Sequence, residues 1–455
     1  MKNISRVLVA NRGEIAVRII RACRSLGLET VVAVSSADRE SMAAQLADRA
    51  ICIGPPSATQ SYLRIDTLVG VALGSGCDAI HPGYGFRAES PELADMTRSQ
   101  GLVFVGPQGE TMRRMANKLQ AREEAKELGV PLLPGSKLMT SAAHAELVAE
   151  SIGWPLLIKA AAGGGGRGMK LVFTHDQLEP ALASAAAEAQ AAFGDGSLYL
   201  EHYVPKAHHV EVQILGDSHG NVVHLGERDC SVQRRYQKLI EEAPADILFP
   251  ELRDGLRQAA LSIARNLAYE NAGTVEFLVD PEAQKFYFLE VNARIQVEHP
   301  VTELVTGIDL VQAQLRVASG EPLWFTQSDV VLTGHAMECR INAEDPAENF
   351  RPSPGRIKEW SAPNGEGIRL DSHCFDGYIV PPFYDSMIGK LIVHGADREE
   401  TLKRLQLALE NFQVSGISTT IPFLKSVISH PDFQSGNIST SWLENLLKDK
   451  SEDDA

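Results

Sequence analysis

Charged and amide side chains recur at every second residue in the segment LEVNARIQVEHPVTE at 289–303, as Glu290, Asn292, Arg294, Gln296 and Glu298. This spacing is the period of one face of a strand. Such a face cannot be buried against apolar side chains without a large desolvation cost. A divalent cation together with a phosphate or small oxyanion would satisfy all of these charges at once. The segment therefore predicts a strand that carries an anion-handling site, and the alternative is a solvated edge strand with incidental charges.

A further acidic residue, Glu276 in TVEFLVD (274–280), precedes this segment by one short loop. Adjacent antiparallel strands would place Glu276 beside Glu290 and Asn292. Two neighbouring carboxylates repel each other, and Mg²⁺ or Mn²⁺, which prefers hard oxygen ligands, would remove that repulsion. The sequence therefore predicts a metal site at these three residues, with a structural ion-pair network as the alternative.

A glycine-rich segment, GGGGRGM at 163–169, lies between two apolar runs. Apolar runs on both sides of the glycines predict two strands joined as a hairpin flap. In a P-loop, the glycines would instead be followed by a helix. Glycine N–H groups allow close approach of a phosphate chain, and the nearby Lys159, in an apolar strand, needs an anionic partner to keep its charge. Phosphate binding is the expectation, and a flexible linker or tight turn is the alternative.

Two other charged groups stay ambiguous from their pattern alone. The segment RDCSVQRRYQKLIEEAP at 228–244 mixes four basic residues with two glutamates, and a solvated charged face explains it as well as a site does. His208 and His209, followed by Glu211 and Gln213 at strand spacing, are equally compatible with a structural role.

The elements that must position these residues follow from the apolar pattern. Apolar runs at 6–10, 30–36 and 103–106 alternate with helical patterns, which is typical of a doubly wound parallel sheet. Its first turn reads ANRGEIA instead of GxGxxG, which disfavours dinucleotide binding. The strands around the glycines, an Ala-rich helix at about 180–193 and the strand LYLEHYV predict a small lid-like unit, followed by a mixed region to about 330. The predicted fold class is α/β, with α+β character in the central part.

Composition sets limits on the class of protein. The 455 residues predict two to four domains, and 43 basic against 59 acidic residues give a net charge of −16, which disfavours nucleic-acid and anionic-membrane binding. The sequence contains no apolar run of membrane-spanning length, and its start lacks a signal-peptide pattern. Its six cysteines are scattered without a CxxC pair, so we expect reduced thiols, a cytoplasmic location and no zinc site.

The sequence as a whole resembles the biotin carboxylase family, within the ATP-grasp superfamily. Seven motifs occur in that family's order and approximate spacing over roughly residues 4–445: ANRGEIA, HPGYGF, KAAAGGGGRGM, RDCSVQRRYQK, NARIQVEHPVTE, ECRINAEDP and PPFYDSMIGKL. The resemblance implies an N-terminal αβα domain (1–115), an ATP-grasp domain (116–333) with a mobile glycine-rich lid (about 132–204), and a C-terminal biotin carboxylase domain (334–445). A polar tail (446–455) is expected to be disordered.

The resemblance also implies residue roles. ATP would be bound by Lys118, Lys159, Gly165, Gly166, Glu201, His209, Gln233, Tyr236 and Leu278. Mg²⁺ or Mn²⁺ would be held by Glu276, Glu290 and Asn292. Bicarbonate would be bound by Lys238, Arg294, Gln296 and Val297, and the catalytic residues would be Glu298, Arg294, Lys238 and Arg340. Glu298 would take the bicarbonate proton. Biotin would be bound by Tyr84, Gly85 and Arg340, with Arg340 at the ureido oxygen.

Three positions depart from the family pattern. Tyr236 stands where many members carry His, Ala293 replaces a usual Thr or Ser, and FRAES at 86–90 differs from the more typical FLxEN. The Ala293 side chain should face away from the metal. None of the three changes removes a chemical role.

The implied activity is ATP- and bicarbonate-dependent carboxylation of biotin through carboxyphosphate. The sequence has no AMKM-type biotinylation site and no room for a carboxyltransferase after residue 445, so we expect a separate biotin carboxyl carrier protein and separate carboxyltransferase subunits. Acetyl-CoA carboxylase is the expected parent enzyme, and a pyruvate, propionyl-CoA or other acyl-CoA carboxylase is the alternative. Another ATP-grasp ligase and a catalytically idle scaffold paralogue are further alternatives. The family also implies a homodimer.

Overall fold

The computed structural model describes residues 4–139, 142–161 and 169–453. The chain begins with alternating strands and helices: β1 (Arg6–Val9), α1 (Gly13–Ser25), β2 (Glu29–Ser35), α2 (Met42–Leu46), β3 (Arg49–Gly54), α3 (Ile65–Gly74), β4 (Ala79–His81), α4 (Pro91–Ser99), β5 (Val103–Phe104) and α5 (Gly109–Ala116). The strands pair in parallel in the order β3-β2-β1-β4-β5. Val7 and Val9 pack with α1, whereas Leu8 packs with α3 and α4 on the other face. The doubly wound sheet is therefore confirmed.

Helix α6 (Lys118–Glu127) links to the lid-like unit, which comprises α7 (Ala142–Ile152), β6 (Leu156–Ala160), β7 (Lys170–Val172), α8 (Leu178–Phe193) and β8 (Leu198–His202). Strands β6 and β7 pair antiparallel, with Leu156 opposite Val172, and β8 pairs with the other edge of β6. This confirms the predicted hairpin for the strands that flank the glycines. The glycines at 163–166 and 168 lie outside the described residues.

The mixed region continues with β9 (His208–Gly216), β10 (Val222–Arg234), β11 (Gln237–Ala243), α9 (Pro250–Asn266), β12 (Asn271–Asp280), β13 (Lys285–Asn292), α10 (His299–Thr306) and α11 (Leu310–Ala318). Helices α6 and α9 pack on the apolar side of these strands, around Val212, Val275 and Phe288. The opposite side is then free to carry the polar residues of the central strands.

The C-terminal region comprises β14 (His335–Asn342), β15 (Glu344–Asp345), β16 (Arg351–Pro352), β17 (Gly355–Arg356), β18 (Glu359–Ser361), β19 (Ile368–Ser372), β20 (Ile379–Val380), β21 (Met387–Gly395), α12 (Arg398–Asn411), β22 (Gln413–Ser415), α13 (Ile421–Ile428), α14 (Pro431–Ser435) and α15 (Trp442–Asp453). Strand β14 pairs with β11, so one antiparallel sheet runs β13-β12-β9-β10-β11-β14-β21-β19. This continuity carries Arg340 and Glu276 on the same sheet.

The expectation of a disordered tail is wrong through Asp453. Leu443 is buried, and Trp442, Leu446 and Leu447 pack against the C-terminal core. Their spacing gives α15 an apolar stripe, and packing of such a stripe stabilises a helix whose remaining residues are polar.

Helices that could cross a membrane are absent from the described ranges 4–139, 142–161 and 169–453, where none is both long and apolar enough.

Candidate active site

A cavity of about 730 Å³ lies where the N-terminal sheet, the lid strands and the large antiparallel sheet approach one another. It is lined by every predicted site residue that the structure describes: Tyr84, Gly85, Lys118, Lys159, Glu201, His209, Gln233, Tyr236, Lys238, Glu276, Leu278, Glu290, Asn292, Arg294, Gln296, Val297, Glu298 and Arg340. Gly165 and Gly166 lie outside the described residues. Residues that the sequence distributes over more than 250 positions thus surround one space.

Strands β12 and β13 bring the predicted metal ligands together. Glu276 is the register partner of Glu290, and Thr274 is that of Asn292. The Glu276 Oε1 atom accepts hydrogen bonds of 2.8 Å from both Asn292 Nδ2 and Gln296 Nε2. Burial raises the pKa of Glu276, but the nearby Lys238 ammonium and His209 outweigh it and hold the pKa well below its usual range. Glu276 is therefore a carboxylate at neutral pH.

The predicted strand face at 289–303 is wrong beyond Asn292, where β13 ends. Arg294 and Gln296 lie on irregular backbone, and Glu298 is the N-cap residue of α10, which has a proline in its first turn. The buried side chains of Ala293 and Ile295 pack in apolar clusters that include the N-terminal sheet. Side chains of this segment therefore still alternate between the apolar core and the cavity, although the backbone is no longer a strand.

Lys238 lies at the centre of the charged side chains. Its Nζ atom lies 2.5 Å from Glu211 Oε2, 2.6 Å from Glu298 Oε1, 3.1 Å from Gln296 Oε1 and 3.2 Å from Glu276 Oε1. Burial lowers the pKa of Lys238, but the surrounding glutamates raise it well above its ordinary value. An ammonium has three protons for these four acceptors, so its hydrogen bonds can be redistributed towards an incoming anion.

Glu298 is held between two cations. Its Oε1 atom accepts from Lys238, and its Oε2 atom accepts from Arg340 Nη2 at 2.9 Å. Burial raises the pKa of Glu298, whereas Lys238, Arg340 and Arg228 together bring it well below the usual range. The side chain is therefore ionised and only 2% exposed. A buried carboxylate beside two donors is suited to accepting a proton from a small anion held by those donors.

Arg340 is held in the cavity by β11. Its Nε atom donates to Glu241 Oε1 at 2.6 Å, and the guanidinium also reaches Glu298. Burial raises the pKa of Glu241 to about 7, against the opposing effect of Arg340. Glu241 is thus a partner that can exist in either protonation state near neutral pH.

Tyr84 is positioned by a glycine turn after β4. Gly83 has a φ of +64°, and a Cβ there would meet Ile15 Cγ1 at 3.0 Å and Asn11 Nδ2 at 3.1 Å, so the close approach of the turn to α1 favours glycine. The Tyr84 hydroxyl donates to Glu14 Oε1. Burial raises the pKa of Glu14 to about 7.

The residues predicted to bind ATP make ion pairs around the lid. Lys118 Nζ lies 3.3 Å from Glu290 Oε2, and Lys159 Nζ lies 2.5 Å from Glu201 Oε2. The anionic partner of Lys159 within the protein is therefore Glu201. Apolar lining from Leu157, Met169, Val204, Leu278 and Leu289 adjoins these charges. The cavity therefore has an apolar region next to the Lys118 and Lys159 ammonium groups.

Tyr236 lies in a strained two-residue hairpin between β10 and β11. Arg235 and Tyr236 have φ values of +49° and +63°, the conformation of a type I′ turn, for which Asn-Gly is the usual sequence. Backbone strain of this kind concentrates at functional sites. The Tyr236 side chain is 50% exposed and lines the cavity.

Two compact groups of potential ligand atoms differ from the predicted metal set. Ligand atoms of His209, Glu211 and Glu276 lie within 4.8 Å of one another, as do those of Glu211, Cys230 and Glu298. Glu290 is in neither group; its side chain is 38% exposed, and its Oε2 atom lies 3.3 Å from Lys118 Nζ. Glu276 belongs to the predicted set and to the first of these two groups.

Sequence reasoning did not assign Arg228 and Glu211 to the site. Arg228 is fully buried, and it donates to Glu211 Oε1 at 2.5 Å, Gln213 Oε1 at 2.8 Å and Thr302 Oγ1 at 2.9 Å. The recurrence of Glu211 and Gln213 at strand spacing after His209 was the available signal. Arg228 therefore fixes the glutamate that in turn holds Lys238.

We expect Arg228→Met to lower the free energy of unfolding by about 3 kcal/mol, because Glu211 would lose a buried counter-charge. The shift of the urea unfolding midpoint, measured at pH 7, checks this. Arg113→Met is the matched control, since Arg113 is 48% exposed and pairs with a half-exposed Asp95, and its effect should stay within about 0.5 kcal/mol. Equal midpoints for the two variants would contradict the expectation.

Family models match most of the chain. Residues 3–112 match the model described as "Biotin carboxylase, N-terminal domain", residues 117–326 match "Carbamoyl-phosphate synthase L chain, ATP binding domain", and residues 338–445 match "Biotin carboxylase C-terminal domain".

Full-length relatives and solved structures agree with these matches. A biotin carboxylase of Nostoc sp. is 49% identical over 444 residues, which is 97% of this chain and 99% of that protein. A pyruvate carboxylase subunit of Methanothermobacter thermautotrophicus is 49% identical over 441 residues, which is 97% of this chain and 89% of that protein. The biotin carboxylase–beta-gamma-ATP complex from Campylobacter jejuni matches with a TM-score of 0.95 at 44% identity, covering 97% of this chain and 99% of that one. The biotin carboxylase domain dimer of Hydrogenobacter thermophilus 2-oxoglutarate carboxylase, in complex with MgADP, ADP and bicarbonate, matches with a TM-score of 0.94 at 44% identity, covering 98% of each chain.

Proposed function

The chain belongs to the biotin carboxylase family, and on this premise we propose that it uses ATP and bicarbonate to carboxylate biotin carried on a separate biotin carboxyl carrier protein, by way of carboxyphosphate. The observation that carries the proposal is the Lys238–Glu298–Arg340 group, in which a buried carboxylate lies between two cations inside the cavity. These residues combine an anion site with a base, which bicarbonate activation requires.

The metal ligands we propose are Glu276, Glu290 and Asn292. Two carboxylates in cross-strand register supply the hard oxygen donors that Mg²⁺ or Mn²⁺ prefers, so the residues fit such an ion. When bound, the ion would neutralise phosphate charge. The protein's own part is to hold the Glu276 carboxylate with Asn292 and Gln296 and to keep Lys118 beside Glu290.

ATP would bind between the lid and β12. Lys118 and Lys159 supply positive charge for the phosphates, and the apolar side chains around Leu278 suit a purine ring. Glu201, His209, Gln233 and Tyr236 would supply polar contacts, and Gly165 and Gly166 would close over the phosphates. A closing lid would exclude the water that would otherwise hydrolyse carboxyphosphate.

Bicarbonate would be bound by Lys238, Arg294 and the Gln296–Val297 backbone, with Glu298 as the base. Lys238 and Arg340 both donate to Glu298, and these cations hold its pKa well below the usual range, so it is weakly basic. A bound anion would draw those donors away, so the basicity of Glu298 would rise when its substrate is present. Bicarbonate would then lose its proton to Glu298 as its oxygen attacks the γ-phosphate of ATP, and the bond to the bridging oxygen would break with ADP as the leaving group.

Biotin would be bound by Tyr84, Gly85 and Arg340. Carboxyphosphate would break down to CO₂ and phosphate, and the phosphate would take the N1 proton of biotin. Negative charge then develops on the ureido oxygen, where the Arg340 guanidinium stabilises it. CO₂ adds to N1.

We propose acetyl-CoA carboxylase as the parent enzyme, with separate carboxyltransferase subunits, a homodimer of this chain and a cytoplasmic location. A pyruvate, propionyl-CoA or other acyl-CoA carboxylase is the second candidate, favoured by the relative from Methanothermobacter thermautotrophicus, which belongs to a pyruvate carboxylase. The division at residues 1–115, 116–333 and 334–445, with a tail at 446–455, is retained as a proposal; the large sheet crosses the second boundary, and α15 crosses the third.

Phosphate release from ATP by the purified chain tests the activity. We expect slow release that depends on bicarbonate and Mg²⁺ and that increases when free biotin is added. Absence of biotin stimulation at any bicarbonate concentration would reject the proposal in favour of another ATP-grasp ligase, and absence of all ATP cleavage would favour an idle paralogue. Co-purification of partner proteins from the native cell would distinguish between the parent enzymes.

A further inference from the structure

Lys390 is a buried charge to which the proposed function gives no role. It lies in PPFYDSMIGKL, on β21, and its side chain is 0% exposed. A lysine so completely removed from water needs partners that offset the desolvation of its ammonium.

Its partners come from different regions of the chain. Lys390 Nζ donates to the Val297 carbonyl oxygen at 2.6 Å and lies 3.2 Å from Glu14 Oε1. The same Glu14 oxygen accepts the Tyr84 hydroxyl, and the Lys390 ammonium lies 5.9 Å from the centre of the Tyr84 ring. The Lys390 ammonium therefore contacts the segment proposed to bind bicarbonate and also Glu14, which holds Tyr84 of the proposed biotin pocket.

Neighbouring strands keep this ammonium charged. Lys390 is opposite Arg340 on β14 and opposite Asp371 on β19. Burial lowers the pKa of Lys390, but Glu14, Glu338 and Asp371 raise it above its ordinary value against the opposing charge of Arg369. Both the Val297 carbonyl and the Glu14 carboxylate thus face a permanent cation.

We propose that Lys390 is a positioning residue that couples the biotin pocket to the bicarbonate site; this rests on the proposed function. The ammonium holds the Val297 carbonyl, which fixes the backbone that bicarbonate contacts. Through Glu14 it also holds the Tyr84 hydroxyl. Loss of the ammonium would leave the Val297 carbonyl without this donor and the buried Glu14 carboxylate without its counter-charge, so both parts of the site would shift together.

Lys390→Met tests the coupling in the purified chain with bicarbonate and free biotin as probes. We expect the KM values for bicarbonate and for biotin each to rise about tenfold, and the KM for ATP to change less than about twofold, because charged hydrogen bonds to both anchor points are lost. Lys403→Met is the matched control, since Lys403 is 68% exposed and pairs on the surface with Glu399. Unchanged KM values for bicarbonate and biotin, or a rise in only one, would overturn the inference.

Glu14→Gln provides a second variant if Lys390→Met does not fold. The amide keeps the side-chain volume and an acceptor for Tyr84, but it removes the charge that faces Lys390. Both KM values should rise by about threefold, and a change confined to biotin would overturn the coupling. A wild-type chain without biotin-stimulated ATP cleavage would instead reject the proposed function, so the two failures are distinguishable.

Discussion

Glu298→Gln is expected to lower bicarbonate-dependent ATP cleavage by about 10²- to 10⁴-fold, both with and without biotin, because the amide cannot accept the bicarbonate proton. Glutamine fills the same volume and can still accept a hydrogen bond from Lys238 or Arg340. The site should therefore keep its shape while it loses its base. Initial rates of phosphate release over a range of bicarbonate concentrations measure the effect.

The kinetic pattern separates a lost base from a lost binding group. Removing the negative charge frees Lys238 and Arg340 for the anion, so the KM for bicarbonate should stay the same or fall while kcat collapses. Glu399→Gln, at a carboxylate that is 79% exposed, is the control and should leave both constants unchanged. A near-normal kcat in Glu298→Gln would remove Glu298 as the base.

Local pattern predicted the parts of the site that depend on neighbouring residues in the chain. The pairing of Glu276 with Glu290 follows from two polar-bearing strands joined by a short loop, and β12 and β13 have that register. The doubly wound sheet and the lid hairpin follow from alternation of apolar runs in the same way. The resemblance to the biotin carboxylase family, based on seven ordered motifs, is confirmed by the matched families and relatives.

Long-range contacts determine the features of the site that the local sequence pattern did not predict. Lys390 acquires its partners only when β21 reaches α1 and the Val297 segment, nearly 380 and 93 residues away in sequence. The spacing of 289–303 is typical of a strand throughout, yet β13 leaves its pairing with β12 at Asn292, although β12 itself continues to Asn271, and no local signal marks that end. Arg228 resembled a surface charge because its four buried acceptors lie on other elements.

Arg340→Ala is expected to separate the two half-steps of the reaction. Biotin carboxylation should fall about 10²- to 10³-fold, the effect of removing one donor from a developing oxyanion. Biotin-independent ATP cleavage should fall much less, by about tenfold, because Glu298 keeps Lys238 as its second cation. Carboxybiotin formation and phosphate release, measured in the same samples, give both numbers.

The Arg340 side chain is only 17% exposed, so the effect of its replacement on folding has to be considered. Its loss leaves Glu241 without the cation that lowers its pKa, and since that pKa is already about 7, the carboxyl can take up a proton instead of remaining as an unpaired buried charge. The fold should therefore survive, and Arg351→Ala, at a 69% exposed arginine, gives the baseline for both rates. Equal losses of ATP cleavage and biotin carboxylation in Arg340→Ala would contradict its place at the ureido oxygen, because a residue that acts only through Glu298 must impair both steps alike.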